Sequence, residues 1–357
     1  MISKRLLDTV TCPAPECVPL GVRLEERNDM LVCSNCGRSY PPAQDGYLDL
    51  MPPAEREHTS LYVSHSDEFE ATLDYRRIGP PVLGAGVRQR AIRRMLKPGP
   101  HDSLVELGCG NGKFLVWNRR RVDWAVGVDP APLFADEALR SIDLVRADAR
   151  ALPFPAATFT AAMSIDVLEH LPLPDFKAYL GEAHRVLAPG GRMLIYSNTR
   201  EGSRLDFVVR GARLLSRKLA SVGLIDDTRD RLRKSDHVKA VETYPQLVEV
   251  LGECGFRVER VVFWNGLFQS IIENLLVKLV ESALRMRRGQ AARAHTGAAS
   301  AGGEDRLRSS MRGAMRRGGP AWIAARLLTE LMWLDLALFG RWRAGPYFVL
   351  VRREGGR

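Results

Sequence analysis

The sequence predicts an α/β protein organised around a doubly wound sheet, and three observations carry that expectation. Residues 103–107 form an apolar run containing Glu106, followed by Gly108-Cys109-Gly110-Asn111-Gly112 and by a stretch, 113–119, that reads as a helix. Strand, glycine-rich turn and helix, in that order, is how a doubly wound sheet opens a nucleotide site. Three later apolar runs, 124–128, 142–146 and 159–165, each lead into an acid, at Asp129, Asp148 and Asp166. Outside this pattern, four of the six cysteines fall in the first 36 residues.

The glycine turn excludes two motifs. A P-loop would place its first glycine at Leu107 and its hydroxyl at Phe114. A dinucleotide fingerprint would need its third glycine where Lys113 stands. What remains is Glu-x-Gly-x-Gly-x-Gly over 106–112, in which glycine lets backbone approach a ligand without a Cβ in the way. An acid ending the next strand, Asp129 before Pro130, is placed to bond both hydroxyls of a ribose.

The glycine pattern resembles motif I of the class I S-adenosylmethionine-dependent methyltransferases. Further motifs follow in the order of that family: Asp129-Pro130, Ala147-Asp148-Ala149, and Asp166-Val167-Leu168-Glu169-His170-Leu171. A helix over 174–187 then carries Arg185-Val186-Leu187, and Pro189-Gly190-Gly191 turns into a strand at 192–197. This order is similar to that of small-molecule and quinone-biosynthesis methyltransferases, over residues 88–262 and the last strand. The resemblance implies a seven-stranded Rossmann-like sheet with S-adenosylmethionine as cofactor. It places Glu106 by the methionine ammonium, and Gly108, Cys109, Gly110 and Gly112 along the cofactor. It places Asp129 and Pro130 at the ribose, Asp148 and Ala149 at the adenine, and Ile165 with Asp166 under the methyl.

The chain has 357 residues, 45% hydrophobic, enough for a catalytic domain with additions. The net charge of +10 permits nucleic acid or an anionic membrane as partner and decides neither. Residues 1–11 lack the apolar stretch of a signal peptide, and no apolar run is long enough to span a bilayer. The expected location is cytoplasmic, or peripheral on the cytoplasmic membrane face.

Residues 1–52 read as a separate module. Four residues separate Cys12 from Cys17, and two separate Cys33 from Cys36. Two thiolate pairs at this distance can close a tetrahedral Zn²⁺ site, which a cytosolic chain favours over disulfides. Residues 22–24 and 30–32 are expected to pair as a hairpin. Residues 38–50 resemble the end of a zinc ribbon found beside tRNA and ribosomal methyltransferases, though the first knuckle is longer than that pattern. So small a ribbon would depend on its metal to fold.

Residues 53–100 are a connector and a helix, 82–96, whose Arg88, Arg90, Arg93 and Arg94 read as a solvated face. Residues 101–264 with 345–353 form the expected catalytic domain. Within it, 198–243 is an insertion on the substrate side, with basic residues and a helix at 205–215. Residues 265–344 are an apolar helical insertion: helices at 267–284 and 321–339 flank an arginine-rich linker. Broad apolar faces with basic flanks can lie in a membrane interface. The competing expectation is that they pack on the sheet or form a dimer.

The candidate catalytic residues are His170 and His237, either of which could take the acceptor's proton, together with Asp166. The signatures of exocyclic-amine and cytosine C5 methylation are absent. The leading expectation is therefore methyl transfer to oxygen on a small-molecule or lipid-linked acceptor. An RNA base methyltransferase is the first rival, favoured by the ribbon and the charge, and a non-catalytic cofactor-binding scaffold is the second.

Overall fold

The computed structural model describes residues 2–41, 45–51, 76–225, 237–284 and 318–355. The first part of the connector, the basic residues Arg231, Arg233 and Lys234, and the arginine-rich linker lie outside the described residues.

The N-terminal module begins with α1 (Lys4–Thr9), capped by the Ser3 hydroxyl, which accepts the Leu6 N–H at 3.1 Å. Its hairpin pairs β1 (Leu24–Arg27) with β2 (Met30–Cys33). The first strand thus starts two residues later than the alternation of 22–24 implied. Asn28 and Asp29 both take positive φ, 51° and 61°, which a two-residue hairpin turn requires and these residue types tolerate. Arg23 instead bridges to Thr11. β3 (Ser39–Tyr40) completes this small sheet.

The next strand, β4 (Leu48–Asp49), leaves the module. It pairs in parallel with the strand at 143–146 of the large sheet, and Leu50 N–H adds a bond to the Arg146 carbonyl at 2.8 Å. The large sheet therefore has eight strands rather than the seven that the family implies. The reason is local: apolar Leu48 and Leu50 are fully buried in the same core as the sheet. The ribbon shares the catalytic domain's core instead of standing apart.

The large domain follows the expected alternation. α2 (Leu83–Ala91) runs into a wide turn, Ile92–Leu96, that Lys97 ends at φ 52°. Then come β5 (Ser103–Leu107), α3 (Lys113–Asn118), β6 (Trp124–Asp129), α4 (Asp136–Leu139), β7 (Asp143–Arg146) and β8 (Phe159–Ile165). α5 (Leu173–Val186) leads to β9 (Leu187–Asn198), followed by α6 (Asp206–Ser221), α7 (Tyr244–Glu253) and β10 (Phe256–Phe263). α8 (Leu267–Ile271) continues helically to residue 284, and α9 (Pro320–Phe339) precedes the last strand, β11 (Pro346–Arg353).

The strand order is β10-β11-β9-β8-β5-β6-β7-β4, parallel except where β11 lies antiparallel between β9 and β10. From β5 the chain winds one way through β6 and β7, then returns to β8 and β9 on the other side. In such sheets the ligand crevice lies outside the carboxyl ends of the strands at this reversal, here β5 and β8. The glycine turn follows β5, and Asp166 follows β8. The Pro189-Gly190-Gly191 turn is a bulge inside β9 rather than a turn before it. Phe159 faces Leu187 and Ala161 faces Arg192, with Gly190 at φ 73°.

α9 lies on α2 and α8. Its inner face buries Met332 and Leu336 in the core behind β5 and β9, and Ala325 is buried as well. Its outer face leaves Ile323, Leu327, Leu331, Leu334 and Leu338 exposed. The helical insertion thus packs on the sheet and still presents apolar surface. Among the described residues, no helix is long and apolar enough to cross a membrane.

Candidate functional site

Asp129 organises the glycine turn. Its Oδ2 accepts the Gly110 N–H at 2.7 Å and its Oδ1 the Ala131 N–H at 2.9 Å. Burial pushes its pKa up to about 6, against the pull of those two amides. Gly108, Gly110 and Gly112 all have positive φ, at 75°, 51° and 78°. Their surroundings differ. A Cβ on Gly108 would strike Val167, 2.4 Å away, and one on Gly112 would meet Ala138 at 2.9 Å. A Cβ on Gly110 would have nothing within 4 Å. Gly108 and Gly112 are therefore needed for packing, while Gly110 borders open space at the crevice.

Glu106 is 1% exposed, and its Oε2 has no hydrogen-bond partner. Burial drives its pKa well above the carboxylate range, with Lys113 opposing. A buried, unpaired carboxyl oxygen costs roughly 1–3 kcal/mol or more unless something meets it. An ammonium would satisfy it and restore its charge. An orphaned carboxyl, a glycine facing open space and an acid at the end of β6 together fit the amino acid and ribose ends of S-adenosylmethionine. Cys109 is buried, with Gly127 close beneath its sulfur, and Pro130 is half-buried.

Asp148, which the resemblance places beside the adenine, forms an ion pair with Arg150. Its Oδ1 and Oδ2 lie 2.9–3.1 Å from the Arg150 guanidinium, which also reaches Asp175 at 2.7 Å. The carboxylate is committed to that network, and Ala149 beside it is half-buried.

At the end of β8, Ile165 is buried and Asp166 takes φ 59°. Its carboxylate meets Arg88 at 3.1 Å, and the guanidinium lies 4.4 Å from the Tyr196 ring centroid and 5.5 Å from that of Trp264. This corrects the solvated-face reading for Arg88, whereas Arg93 and Arg94 are exposed. Arg88 points inward, where the ion pair and two aromatic faces compensate its burial. Arg90 pairs with Glu330 and lies over Trp333, as does Arg94, and Arg93 reaches the Trp117 carbonyl. The helical spacing of these residues gave no signal of the inward turn.

His170 and His237, 67 positions apart, come together with ring centroids 4.7 Å apart and planes at 89°. Glu169 joins them: one ligand atom from each of the three lies within 4.8 Å of the others. The Glu169 carbonyl accepts the Val238 and Lys239 N–H groups at 2.8 and 2.9 Å, which fixes the returning chain. Nothing in the periodicity pointed to Glu169, which sits in an irregular turn.

In the N-terminal module, Sγ of Cys12 lies 3.7 Å from that of Cys36, and Cys17 lies 3.7 Å from Cys33. All four sulfurs fall within 4.8 Å of one another. A disulfide needs about 2.05 Å. Four sulfurs at about 2.3 Å from one Zn²⁺ in a tetrahedron stand about 3.8 Å apart, so the cluster fits the ion and not two bridges. Burial would raise the Cys33 thiol, but the Cys36 and Asn35 amides bring its pKa down to about 7.

Residues 105–195 match the family model described as a methyltransferase domain. A tRNA (carboxymethyluridine(34)-5-O)-methyltransferase of Macaca fascicularis is 36% identical over 172 residues, which is 45% of this chain and 24% of that protein. A demethylmenaquinone methyltransferase of Thermus thermophilus is 33% identical over 117 residues, 30% of this chain and 52% of that protein. The chain therefore spans about a quarter and about half of these two relatives. Among solved structures, phosphoethanolamine N-methyltransferase 2 of Haemonchus contortus with S-adenosyl-L-methionine gives a TM-score of 0.46 at 16% identity, covering 85% of this chain and 62% of that one. The family match begins on β5 and ends on β9, spanning the reversal and the crevice outside it. By this family match the chain carries a methyltransferase domain over residues 105–195.

Proposed function

We propose that this protein transfers the methyl of S-adenosylmethionine to an oxygen of a small-molecule or lipid-linked acceptor. The observation that carries the reading is the paired layout of the crevice. Glu106, Gly110 and Asp129 lie on one side, and a second group of polar side chains beyond β8 lies on the other. Bound S-adenosylmethionine supplies a methyl already activated on a sulfonium. The chain's task is then to bind, align and exclude water. Glu106 would meet the ammonium and Asp129 the ribose, while Gly110 leaves room. Ile165 and Asp166, held by Arg88, would form the floor. His170 and His237 would face the acceptor hydroxyl and assist loss of its proton.

The acceptor class rests on the outer helices. Phe207, Leu214, Leu215, Val222 and Leu224 are exposed on and just after α6, interleaved with exposed Arg210, Arg213, Arg217 and Lys218. α6 packs against α8, whose Ile271 is exposed, and α8 against α9 with its row of leucines. Apolar side chains among cations fit an anionic membrane face, where a lipid-linked acceptor would reside. The four cysteines would hold one structural Zn²⁺. A second reading, methylation of RNA, is supported by the cysteine cluster and by the tRNA methyltransferase named among the relatives.

Methyl-labelled cofactor incubated with protein and a cell lysate, then split into lipid, RNA and small-molecule fractions, separates these readings. Label in the lipid or small-molecule fraction is expected. Label confined to RNA would move the assignment to the second reading. Gly110→Val, which fills the open space, should abolish labelling and cofactor binding by calorimetry.

A further inference from the structure

The three-residue cluster beyond β8 has more order than a proton acceptor needs. Glu169 is 2% exposed, a place where a carboxylate is costly without a cation. Its Oε2 accepts the Ser197 hydroxyl at 2.6 Å, and its Oε1 lies 3.3 Å from Asn198 Nδ2. Both donors come from the end of β9, so the carboxylate's orientation is set by the sheet. His170 stands on the turn after β8, where its N–H bonds to the Val167 carbonyl at 3.0 Å. His237 arrives on a segment pinned by the two bonds to the Glu169 carbonyl. Three nitrogen and oxygen donors from two chain segments thus converge within 4.8 Å, outside the carboxyl end of the sheet and three residues past Asp166.

We propose that Glu169, His170 and His237 bind a divalent transition-metal ion at the acceptor end of the crevice, with coordination positions left open for an acceptor oxygen. Bonds of about 2.0–2.2 Å would set the donor atoms about 3–3.5 Å apart, which small side-chain rotations from the present spacing reach. Two imidazoles and one carboxylate suit zinc, manganese, iron or cobalt, whereas magnesium and calcium prefer oxygen alone. Ser197 and Asn198 would be the outer partners that orient the carboxylate. The consequence for the acceptor rests on the function proposed above. A hydroxyl bound to the ion loses its proton to water near neutral pH instead of to an imidazole. Its oxygen then forms the new O–C bond as the C–S bond breaks, and the electron pair leaves with sulfur. An acceptor carrying two adjacent oxygens would use two open positions.

The test uses the full chain with its cysteine cluster loaded with zinc, and Mn²⁺ as the probe, followed by loss of the free-ion paramagnetic resonance signal. One Mn²⁺ per chain is expected to bind. His237→Ala and His170→Asn should each abolish binding, and Ser197→Ala should weaken it by about tenfold. Cofactor affinity measured on the same samples reports that the variants are folded. The proposal is overturned if Mn²⁺, Co²⁺ and Zn²⁺ all stop at the one ion of the cysteine cluster, or if Mn²⁺ binds equally well to His237→Ala. Intact Mn²⁺ binding without methyl transfer to oxygen would count against the proposed function alone and leave the metal site standing.

Discussion

The sheet carries an addition at each end, both held by packing and by hydrogen bonds, and the two differ in the surface they leave outside. The ribbon end joins through the shared apolar core and also through main chain and polar side chains. β4 extends the sheet, Ser3 bonds Asp143 through its N–H at 2.9 Å and its hydroxyl at 2.5 Å, and Arg146 links Asp49 at 2.8 Å to the Pro130 carbonyl at 3.2 Å. The helical end buries Met332 fully and Leu336 nearly so and takes the Leu83 and Gly84 N–H groups on Thr329 and Glu273 at 2.7 and 2.8 Å, while the opposite face of its last helix stays apolar and exposed. An addition that ends in polar groups has a finished surface. One that ends in a broad apolar stripe has surface left over, and that remainder is where a partner would be sought.

The ribbon end should break hardest. Cys33→Ser removes one of four metal ligands, and in modules this small metal binding is folding free energy, on the order of 10 kcal/mol. Elemental analysis should find one zinc fewer in the variant than in the parent chain, and hydrogen exchange should show residues 2–41 and 45–50 unprotected. An unchanged zinc count would mean that the metal is held elsewhere.

At the helical end, Met332→Ala should cost about 2–5 kcal/mol by leaving a cavity against α2, measured by denaturant unfolding. A loss below about 1 kcal/mol would indicate a loosely seated helix and would weaken the contrast between the two ends.

Between the two ends lies Asp129, whose pKa of about 6 makes cofactor binding sensitive to pH. Ribose hydroxyls need the carboxylate, so affinity should fall as pH drops through about 6. Folding stability runs the opposite way. A carboxyl raised from 3.8 contributes most below that value, and the contribution is lost as pH rises through about 6. Asp129→Asn should flatten both profiles near that pH, and persistence of the steps would assign them to another group.

The smallest effect on stability is expected at the outer helical face. Leu327, 62% exposed, should tolerate Ser within about 0.5 kcal/mol. Combined with Leu331→Ser and Phe207→Ser, it should abolish flotation with anionic liposomes at low salt. Unchanged flotation in the triple variant, or none in the parent chain, would remove the membrane from the proposed function.

The cofactor half was largely legible in the sequence because its information is local. An apolar run, a glycine turn and a terminal acid lie within a dozen residues, and neighbouring strands repeat the scheme. The acceptor half was not. His170 and His237 could each be singled out, but their meeting depends on a loop held by two backbone bonds to Glu169, and no periodicity encodes such a contact. β4 escaped notice because two residues are too few to show alternation. Arg88 was misread because helical spacing gives a face, and only packing tells which face turns inward. The pairing of Asp148 with Arg150, two residues on, and of Arg150 with Asp175 was likewise not legible from spacing.

Finally, β4 does more than attach the ribbon. Without it, the backbone of Asp143-Leu144-Val145-Arg146 would be the open border of a parallel sheet, with two buried apolar side chains between charged ends. Such a border is a template for strands of other chains. Metal at the four cysteines would thus guard solubility at a distance. Chains starved of zinc should self-associate through that border before their cofactor pocket fails, so that zinc supply would set how much of this protein a cell can keep.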